Sequence, residues 1–448
     1  MKGPEGDALD SFTVSQISDE NKMRSNSGFP VQNDEEELIY DFQAFVTQLR
    51  DPRADPVLRY TRSFLNNFTT KRDMWTCEEQ QKLVDDFKVF VYDKLTLYEP
   101  FKSLDSAKLK NAQEGIEKLI MGKLYNQCFS PCVEQRFQGK IDPSHHQDLK
   151  RDEKLRLRRE EYAFIDPGLL EIPNSLTHRL HKFTRLSGKE LSRINEYKAP
   201  RDKMVCVLNA CRVLFGFLKH SGLENGGADA FIPVLVYTVL KSDVRSLISN
   251  LNYIERFRYS EFLHGESAYY LSSTQGAADF VANLGRESLH ITDEAAFQAQ
   301  YAKHQEYVKN ERAGASGNAD ASAAKTNTVA TSTPAPASTP APSEYIRRPL
   351  DEATSAILSK VSELFASTTQ ASEAPDEQSD SKTQLPQPDE DADTTALAQE
   401  LQEQENHRVL EELHVMFPDM DQELIQDVCE AKKYRIGVCV DVLLTLSS

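Results

Sequence analysis

Large apolar residues recur every three or four positions in the apolar segments of this chain, as one face of an α-helix requires. The first series consists of Leu38, Phe42, Phe45 and Leu49, and a second consists of Val57, Tyr60, Phe64 and Phe68. Similar series continue towards residue 164, and no alternating pattern typical of a strand interrupts them. We therefore predict an all-α protein that has a helical bundle over residues 35–164.

A second helical region is predicted over residues 165–310. Its clearest apolar stripe is formed by Met204, Val207, Leu208, Cys211, Leu214 and Leu218. Further along, the segment from Phe231 to Leu240 is almost wholly apolar. A helix that is apolar on every side has to be covered on most sides, so we expect this segment to lie at the centre of its domain.

The remainder of the chain is divided by composition. Residues 1–34 are polar and are expected to be a disordered leader, and residues 311–404 are rich in Ala, Ser, Thr and Pro and then in acidic residues, as expected of a disordered linker. Residues 405–448 again carry three apolar helical patterns, and Asp421 is the expected N-cap of the second. We predict a small three-helix domain there, in an all-α architecture of helical layers.

The charge of the chain is concentrated in its last third. Residues 311–448 hold 10 Lys and Arg against 25 Asp and Glu, which is −15 of the total net charge of −18. Proteins that bind nucleic acid regardless of sequence neutralise phosphates with basic side chains. We therefore expect no nucleic-acid partner.

The seven cysteines and the absence of an apolar signal segment favour a reducing, cytoplasmic setting. Nothing approaches an 18-residue apolar run, so no transmembrane helix is predicted. Cys128 and Cys132 are followed by His145 and His146, but a zinc site normally has a second well-spaced pair of ligands. We expect buried cysteines and no metal.

A basic stretch from Lys150 to Arg159 allows two interpretations. It could be a patch for acidic lipid headgroups, or a solvated helix face on which Glu153, Glu160 and Glu161 pair with the basic side chains. The regular interleaving of charges favours the second interpretation.

No motif of covalent catalysis or of nucleotide binding occurs in the sequence. We therefore expect a protein that acts through binding energy, without a cofactor.

The most distinctive segment is Gly226–Leu235, in which two glycines allow an exposed turn before the apolar helix. Pro233 falls in the first turn of that helix, where its missing N–H is tolerated. Asp229 is either the helix N-cap or a functional carboxylate, and the residues alone favour the cap.

Asn250 and the Tyr269-Tyr270 pair are polar groups within otherwise apolar helical patterns, for which hydrogen-bonded packing is the default interpretation.

Four segments of the chain resemble, in order and spacing, the vacuolar-protein-sorting-nine (Vps-nine) domain. They are Pro200–Met204, Gly227–Leu235, Ser249-Asn250 and Gly265–Tyr270. The preceding bundle, with its segment Asp51–Pro56, resembles fungal members of that family. The segments Met416–Asp421 and Asp441–Leu444 resemble a CUE ubiquitin-binding domain.

The resemblance implies an all-helical guanine nucleotide exchange factor that promotes GDP release from Rab-five-type early endosomal GTPases. It assigns Asp229 as an acidic finger and Tyr269 as its partner, and it places Pro233, Asn250 and Gly265 at the groove that faces the GTPase. It also implies a cytoplasmic protein that is recruited to endosomal membranes and acts in vacuolar sorting. Many family members have two consecutive acidic residues where this chain has Asp229-Ala230, which leaves Asp229 as the one candidate finger.

Two other functions remain open. The chain could be an endosomal adaptor that binds ubiquitin and a Rab without exchange activity. It could instead stimulate GTP hydrolysis through Arg256 or Arg258, which are expected at the surface.

The CUE resemblance implies ubiquitin binding through Met416, Phe417, Pro418, Leu443 and Leu444. Pro418 should end the first helix and leave Met416 near the surface, and a helix cannot bury both adjacent leucines on one narrow face. Phe417 and one leucine are expected to pack inside, and the others to form a small exposed apolar patch with micromolar or weaker affinity.

Overall fold

The computed structural model describes residues 40–70, 75–223, 229–323 and 389–447. The predicted leader and most of the predicted linker lie outside these ranges. Within them the chain forms fifteen α-helices and no strand, which confirms the all-α prediction. In chain order the helices are α1 (Phe42–Arg50), α2 (Asp55–Thr70), α3 (Cys77–Leu95), α4 (Ser106–Cys128), α5 (Ser130–Phe137), α6 (Pro143–Glu161), α7 (Thr177–Ser192), α8 (Pro200–Lys219), α9 (Phe231–Lys241), α10 (Leu247–Phe257), α11 (Gly265–Ala282), α12 (Glu294–Ala323), α13 (Asp389–Met416), α14 (Gln422–Ala431) and α15 (Ile436–Ser447).

Helices α1 to α4, the first part of the predicted bundle, share one apolar core. Their starts are fixed by side-chain caps, since Asp41 and Asp105 accept backbone N–H groups of α1 and α4. At the start of α3, Thr76 and Glu79 cap each other's backbone in a reciprocal capping box.

The bundle interlocks with the helices that follow it. Tyr253 and Phe257 of α10 are buried in the core of the bundle. Conversely, Leu155 of α6 belongs to the second core, although the sequence grouped residues up to 164 with the bundle. Leu155 is one of only two leucines in the second half of a very polar helix, so apolar periodicity could not reveal which core it joins.

Helix α9 is the centre of the second core, as its composition predicts. Nine of its eleven residues are buried, and it packs against α7, α8 and α11. Helix α8 packs against α7, α11 and α15, and thirteen of its twenty residues are buried. The apolar residues of α13 to α15 consequently belong to the same continuous core as those of α7 to α11.

Helices extend into the predicted linker from both sides. The backbone of α12 continues to Ala323, and α13 begins at Asp389, whereas the sequence assigned residues 311–404 to a disordered segment. Alanine has the highest helix propensity of all residues, and Ala-rich sequence occurs at both places. Both ends of the segment that composition marks as a linker therefore lie within helices, one in α12 and the other in α13.

The basic stretch of α6 is a charge-paired helix face, as the sequence favoured. Arg156 pairs with Glu153 and Glu160 at N–O distances of 2.7 and 3.3 Å, and Arg158 pairs with Glu161 at 2.6 Å. Among the helices that the structure describes, none combines the length and apolarity needed to cross a membrane.

Candidate functional site

Asp229 is exposed and immediately precedes the central helix α9. The N-cap position of α9 is occupied by Ala230, whose side chain makes no capping hydrogen bond. Asp229 thus lies one residue before the position at which a carboxylate would cap the helix. The assignment of Asp229 as a functional carboxylate therefore stays a prediction.

The start of α11 lies beside the start of α9. The half-buried ring of Tyr269 stacks on Phe231, the first residue of α9, with 6.1 Å between ring centroids. Asp229 is two residues from Phe231, so its backbone lies within about 7 Å of that residue. Burial raises the pKa of Tyr269, so its hydroxyl remains a proton donor at neutral pH.

Gly265 is exposed at the first position of α11 and has a φ of +55°. A Cβ at this position would meet no heavy atom within 4 Å. The glycine is therefore needed for its left-handed backbone and not for space. Asp229 and Gly265 are thus exposed at the starts of α9 and α11, and Tyr269 is half-buried beside them; their role in a functional site stays a prediction.

Helix α8 supports this surface from behind. Phe215 of α8 packs edge-on against Phe231, with ring centroids 6.4 Å apart. Arg212 of the same helix pairs with Glu266 in the first turn of α11 at 2.6 Å. The two helix starts that carry the candidate site are thus both anchored on the second half of α8.

Asn250 and Pro233 do not reach the surface, which corrects their predicted place at a partner-facing groove. Pro233 is buried within the first turn of α9. Asn250 is fully buried: its Oδ1 accepts from Lys203 Nζ at 2.6 Å, and its Nδ2 donates to the Ser246 carbonyl at 2.8 Å. Satisfied packing, the default interpretation from the sequence, is therefore the geometry of Asn250.

The partners of the Ser249-Asn250 motif were missed in the sequence. Asp152 of α6 accepts the backbone N–H of Ile248 at 2.8 Å and also the hydroxyl of Ser249. Burial raises the pKa of Asp152 to about 6, although the hydrogen bonds from Ser249 and Ile248 oppose this shift. Lys203 belongs to the Pro200–Met204 motif, so the motifs that seemed separate are joined inside the core. These contacts join helices that are far apart in the chain, so only the fold could reveal that the motif residues hold the core together.

The arginines considered for GTP hydrolysis are engaged in ion pairs, and the expectation that they lie at the surface is wrong for Arg258. Arg258 is 8% exposed and contacts both Glu114 and Glu117. Arg256 is half-buried and forms a double contact with Asp148 at 2.6 and 3.0 Å. Neither guanidinium is aimed outward, since α10 packs against the bundle and against α6.

One of the residues weighed as zinc ligands, His145, has another partner. All seven cysteines are unpaired, and His145 Nδ1 lies 2.9 Å from Ser130 Oγ in a buried position. Within the described ranges, no group of three or more His, Cys, Asp or Glu side chains is arranged to hold a metal ion.

The tail residues predicted to bind ubiquitin are more buried than expected. Pro418 is exposed and follows the end of α13 at Met416, and Met416 is half-buried in a cleft beside α7. Phe417 is buried, as expected. Leu443 and Leu444 are 0% and 1% exposed, so the expectation that one of them stays exposed is wrong. The sequence could not show this, because α15 packs not only against α13 and α14 but also against α8, which lies some 230 residues earlier in the chain.

Three regions of the chain match known protein families. Residues 185–286 match the Vacuolar sorting protein 9 (VPS9) domain, residues 406–447 match the CUE domain, and residues 59–125 match a domain of unknown function, DUF5601. The chain therefore carries a VPS9 domain, preceded by a helical bundle and followed by a CUE domain.

Three similar proteins illustrate the relationship. The chain is 41% identical over 274 residues to Vacuolar protein sorting-associated protein vps901 of Schizosaccharomyces pombe, which covers 61% of this chain and 47% of that protein. It is 32% identical over 259 residues to Vacuolar protein sorting-associated protein 9A of Arabidopsis thaliana, covering 57% and 46%. It is 27% identical over 240 residues to the Rab5 GDP/GTP exchange factor of Homo sapiens, covering 53% and 46%. The matched region spans about half the length of these relatives.

Proposed function

We propose that this chain promotes GDP release from a Rab5-type GTPase and binds ubiquitin through its CUE domain, in a cytoplasmic protein recruited to endosomes. The observation that carries the exchange function is the surface formed by Asp229, Tyr269 and Gly265 where α9 and α11 begin. It lies within the matched VPS9 domain, and a similar protein is named a Rab5 GDP/GTP exchange factor. The match of residues 406–447 to the CUE domain supports ubiquitin as the second partner.

In this mechanism Asp229 acts as an inserted carboxylate. A Rab holds its nucleotide with a phosphate-binding lysine and Mg²⁺. The carboxylate of Asp229 pairs with that lysine, repels the phosphates and disfavours Mg²⁺. At about 4 Å and an effective dielectric constant near 20, one such pair contributes on the order of 4 kcal/mol. Fully realised in the transition state, this corresponds to roughly a thousandfold faster release. No covalent bond is made or broken.

The rigid setting of the carboxylate supports this mechanism. Phe231 anchors the start of α9 between Phe215 of α8 and Tyr269 of α11, so the backbone of Asp229 and Ala230 is attached directly to a packed core. A carboxylate placed in advance does not have to be ordered at the moment of insertion, which increases the share of its interaction energy that speeds release.

The test is release of fluorescent GDP from a panel of Rab GTPases by the full chain and its variants. Asp229→Asn removes the charge and keeps the shape, so it should slow release by about a hundredfold or more, with an unchanged melting temperature. Asp243→Asn is the matched control, because Asp243 is exposed just beyond the other end of α9. Tyr269→Ala should slow release less, since it removes a ring and a hydroxyl but no charge.

Full activity of the Asp229→Asn variant would rule out the carboxylate mechanism. A native chain that binds a Rab but releases no GDP from any member of the panel would support the alternative of a ubiquitin-binding adaptor.

A further inference from the structure

The CUE domain is packed directly against the VPS9 domain. Helix α15 crosses α8 at two glycines, one on each helix. A Cβ on Gly216 would lie 3.6 Å from Asp441, and a Cβ on Gly437 would lie 2.7 Å from the Cβ of Arg212. At Gly437 the approach is too close for any side chain, and at Gly216 there is room for no more than a methyl group, so no other protein fits between the helices in this arrangement.

Ion pairs also hold the CUE domain against the VPS9 domain. At one side, Arg193 contacts Glu405 at 2.7 Å, and Arg408 contacts the buried Glu190 at 2.9 Å. At the other side, Asp441 contacts His220 at 3.0 Å and Lys219 at 3.2 Å. Because several of these groups are largely withdrawn from water, the pairs favour this one orientation of the CUE helices over others.

The covered face of α15 includes Leu444. Residues that contact α8 are Gly437, Asp441 and Thr445, the last of which lies 3.4 Å from His220. Leu444 follows Gly437 by seven positions and Asp441 by three, and this spacing puts it on the same face of the helix. Its 1% exposure agrees with that position.

Met416 is also turned towards the VPS9 domain. It lines a cleft whose opposite wall is formed by His181, Leu186 and Lys189 of α7, and Lys189 pairs with Glu412 one turn before Met416. Both ends of the predicted ubiquitin-binding patch therefore face helices of the VPS9 domain.

We infer that the VPS9 domain and ubiquitin compete for the same face of the CUE domain, so that the α8–α15 contact has to open before ubiquitin binds. This inference rests on the proposed ubiquitin binding. The apparent affinity for ubiquitin is then the intrinsic affinity reduced by the fraction of molecules in which the contact is open. An open state populated at one in ten or less makes that reduction about tenfold or more.

Gly216→Leu tests the competition from the VPS9 side. A methyl group would just fit at 3.6 Å from Asp441, but a leucine side chain would not, so the substitution should wedge α15 away. Leucine also favours a helix more than glycine does, which preserves α8. Because Gly216 lies outside the CUE domain, the ubiquitin-contacting residues are unchanged. Titration of the full chain with ubiquitin should give at least about tenfold tighter binding than the native chain.

A second variant tests the same contact in case Gly216→Leu does not fold. Lys219→Glu places a like charge beside Asp441 at a partly exposed position and should raise ubiquitin affinity in the same direction by a smaller factor. Lys303→Glu, the same change at an exposed position on α12, should leave the affinity unchanged. Ubiquitin at saturation should also increase amide hydrogen exchange in residues 207–219 of the native chain.

The outcomes separate the inference from the function on which it rests. If the native chain and both contact variants bind ubiquitin with equal affinity, and exchange in α8 does not change, ubiquitin uses a face that is already free and the competition is wrong. If neither the native chain nor any folded variant binds ubiquitin, the proposed ubiquitin function itself is wrong.

Discussion

At the scale of single residues, His145 shows how a buried polar group can look like a functional one. Ser130 Oγ donates to Asp148 Oδ2 at 2.7 Å, so the proton of the 2.9 Å contact between Ser130 and His145 comes from His145 Nδ1. Its Nε2 is buried without a hydrogen-bond partner among the described residues. Burial and the nearby Arg256 lower the pKa of His145 to about 4.

We predict that His145 makes the protein sensitive to mild acid. In the unfolded chain its pKa is about 6.5. Since the folded pKa is lower, the neutral ring contributes stability above pH 6.5, and this contribution is lost as the pH falls from 6.5 towards 4. Between pH 7 and pH 5 the loss should be about 2 kcal/mol.

Urea unfolding at both pH values measures this loss. His145→Asn can still donate to Ser130 but does not titrate, so its unfolding free energy should fall by less than that of the native chain. His146→Asn is the control, because the adjacent His146 is exposed. An equal loss of stability in the native chain and the His145→Asn variant would contradict the prediction.

At the scale of helices, a buried cluster of charges joins the bundle to the VPS9 domain. Glu117 of α4 contacts Lys88 of α3 at 3.4 Å and Arg258, just after α10, at 2.7 Å. Burial alone would raise the pKa of Glu117, but Arg258 and Lys88 outweigh it and hold that pKa below its usual value. The carboxylate is thus a charged link between three helices from two parts of the chain.

Glu117→Gln should therefore destabilise the whole interlocked core. Removing one partner of a buried ion cluster leaves the others charged and unpaired, at a cost of about 3–5 kcal/mol. Thermal unfolding measures this cost, with Glu153→Gln as the control. Glu153 and Arg156 form a pair whose side chains are each 57% exposed, so that substitution should cost less than about 1 kcal/mol. Equal effects of the two substitutions would show that the cluster is not a structural link.

The elements also show which parts of the structure the sequence can predict. Local patterns were sufficient for the helices of the bundle, for the burial of α9 and for the Asp421 cap, since each depends on neighbours within a few turns. The burial of Arg258 and Leu444 was missed, because it depends on α4, α8 and other helices far away in the chain. The roles of Asp229 and Tyr269 were assigned from the family motifs and stay predictions, and the stacking of Tyr269 on Phe231 is visible only in the fold.

At the scale of the whole molecule, the VPS9 domain with its bundle should be sufficient for nucleotide exchange. A fragment of residues 36–323 retains every residue of the candidate site, and it keeps the contact between Arg312 and Glu160 that holds α12 to α6. We expect it to release GDP from the same Rab at a rate close to that of the full chain. A folded fragment that releases no GDP, when the full chain does, would contradict this expectation.

The same fragment should be less stable than the full chain. Without the CUE domain, the side of α8 that α15 covers becomes exposed to water. We expect the melting temperature to fall by about 4 °C or more, the shift that a loss of 1–2 kcal/mol produces in a domain of this size. An unchanged melting temperature would show that the α8–α15 contact contributes no net stability.

The contact between α8 and α15 joins two parts of one chain, and this sets what an outside competitor has to overcome. A tethered partner is always near, at an effective concentration set by the length of the linker, whereas ubiquitin has to arrive from solution and binds a small apolar patch weakly. Single ubiquitin molecules in dilute solution are then poor competitors. A membrane crowded with ubiquitin-bearing cargo raises the local concentration and allows repeated rebinding. The protein would respond steeply to the density of ubiquitin on a surface and ignore the free pool.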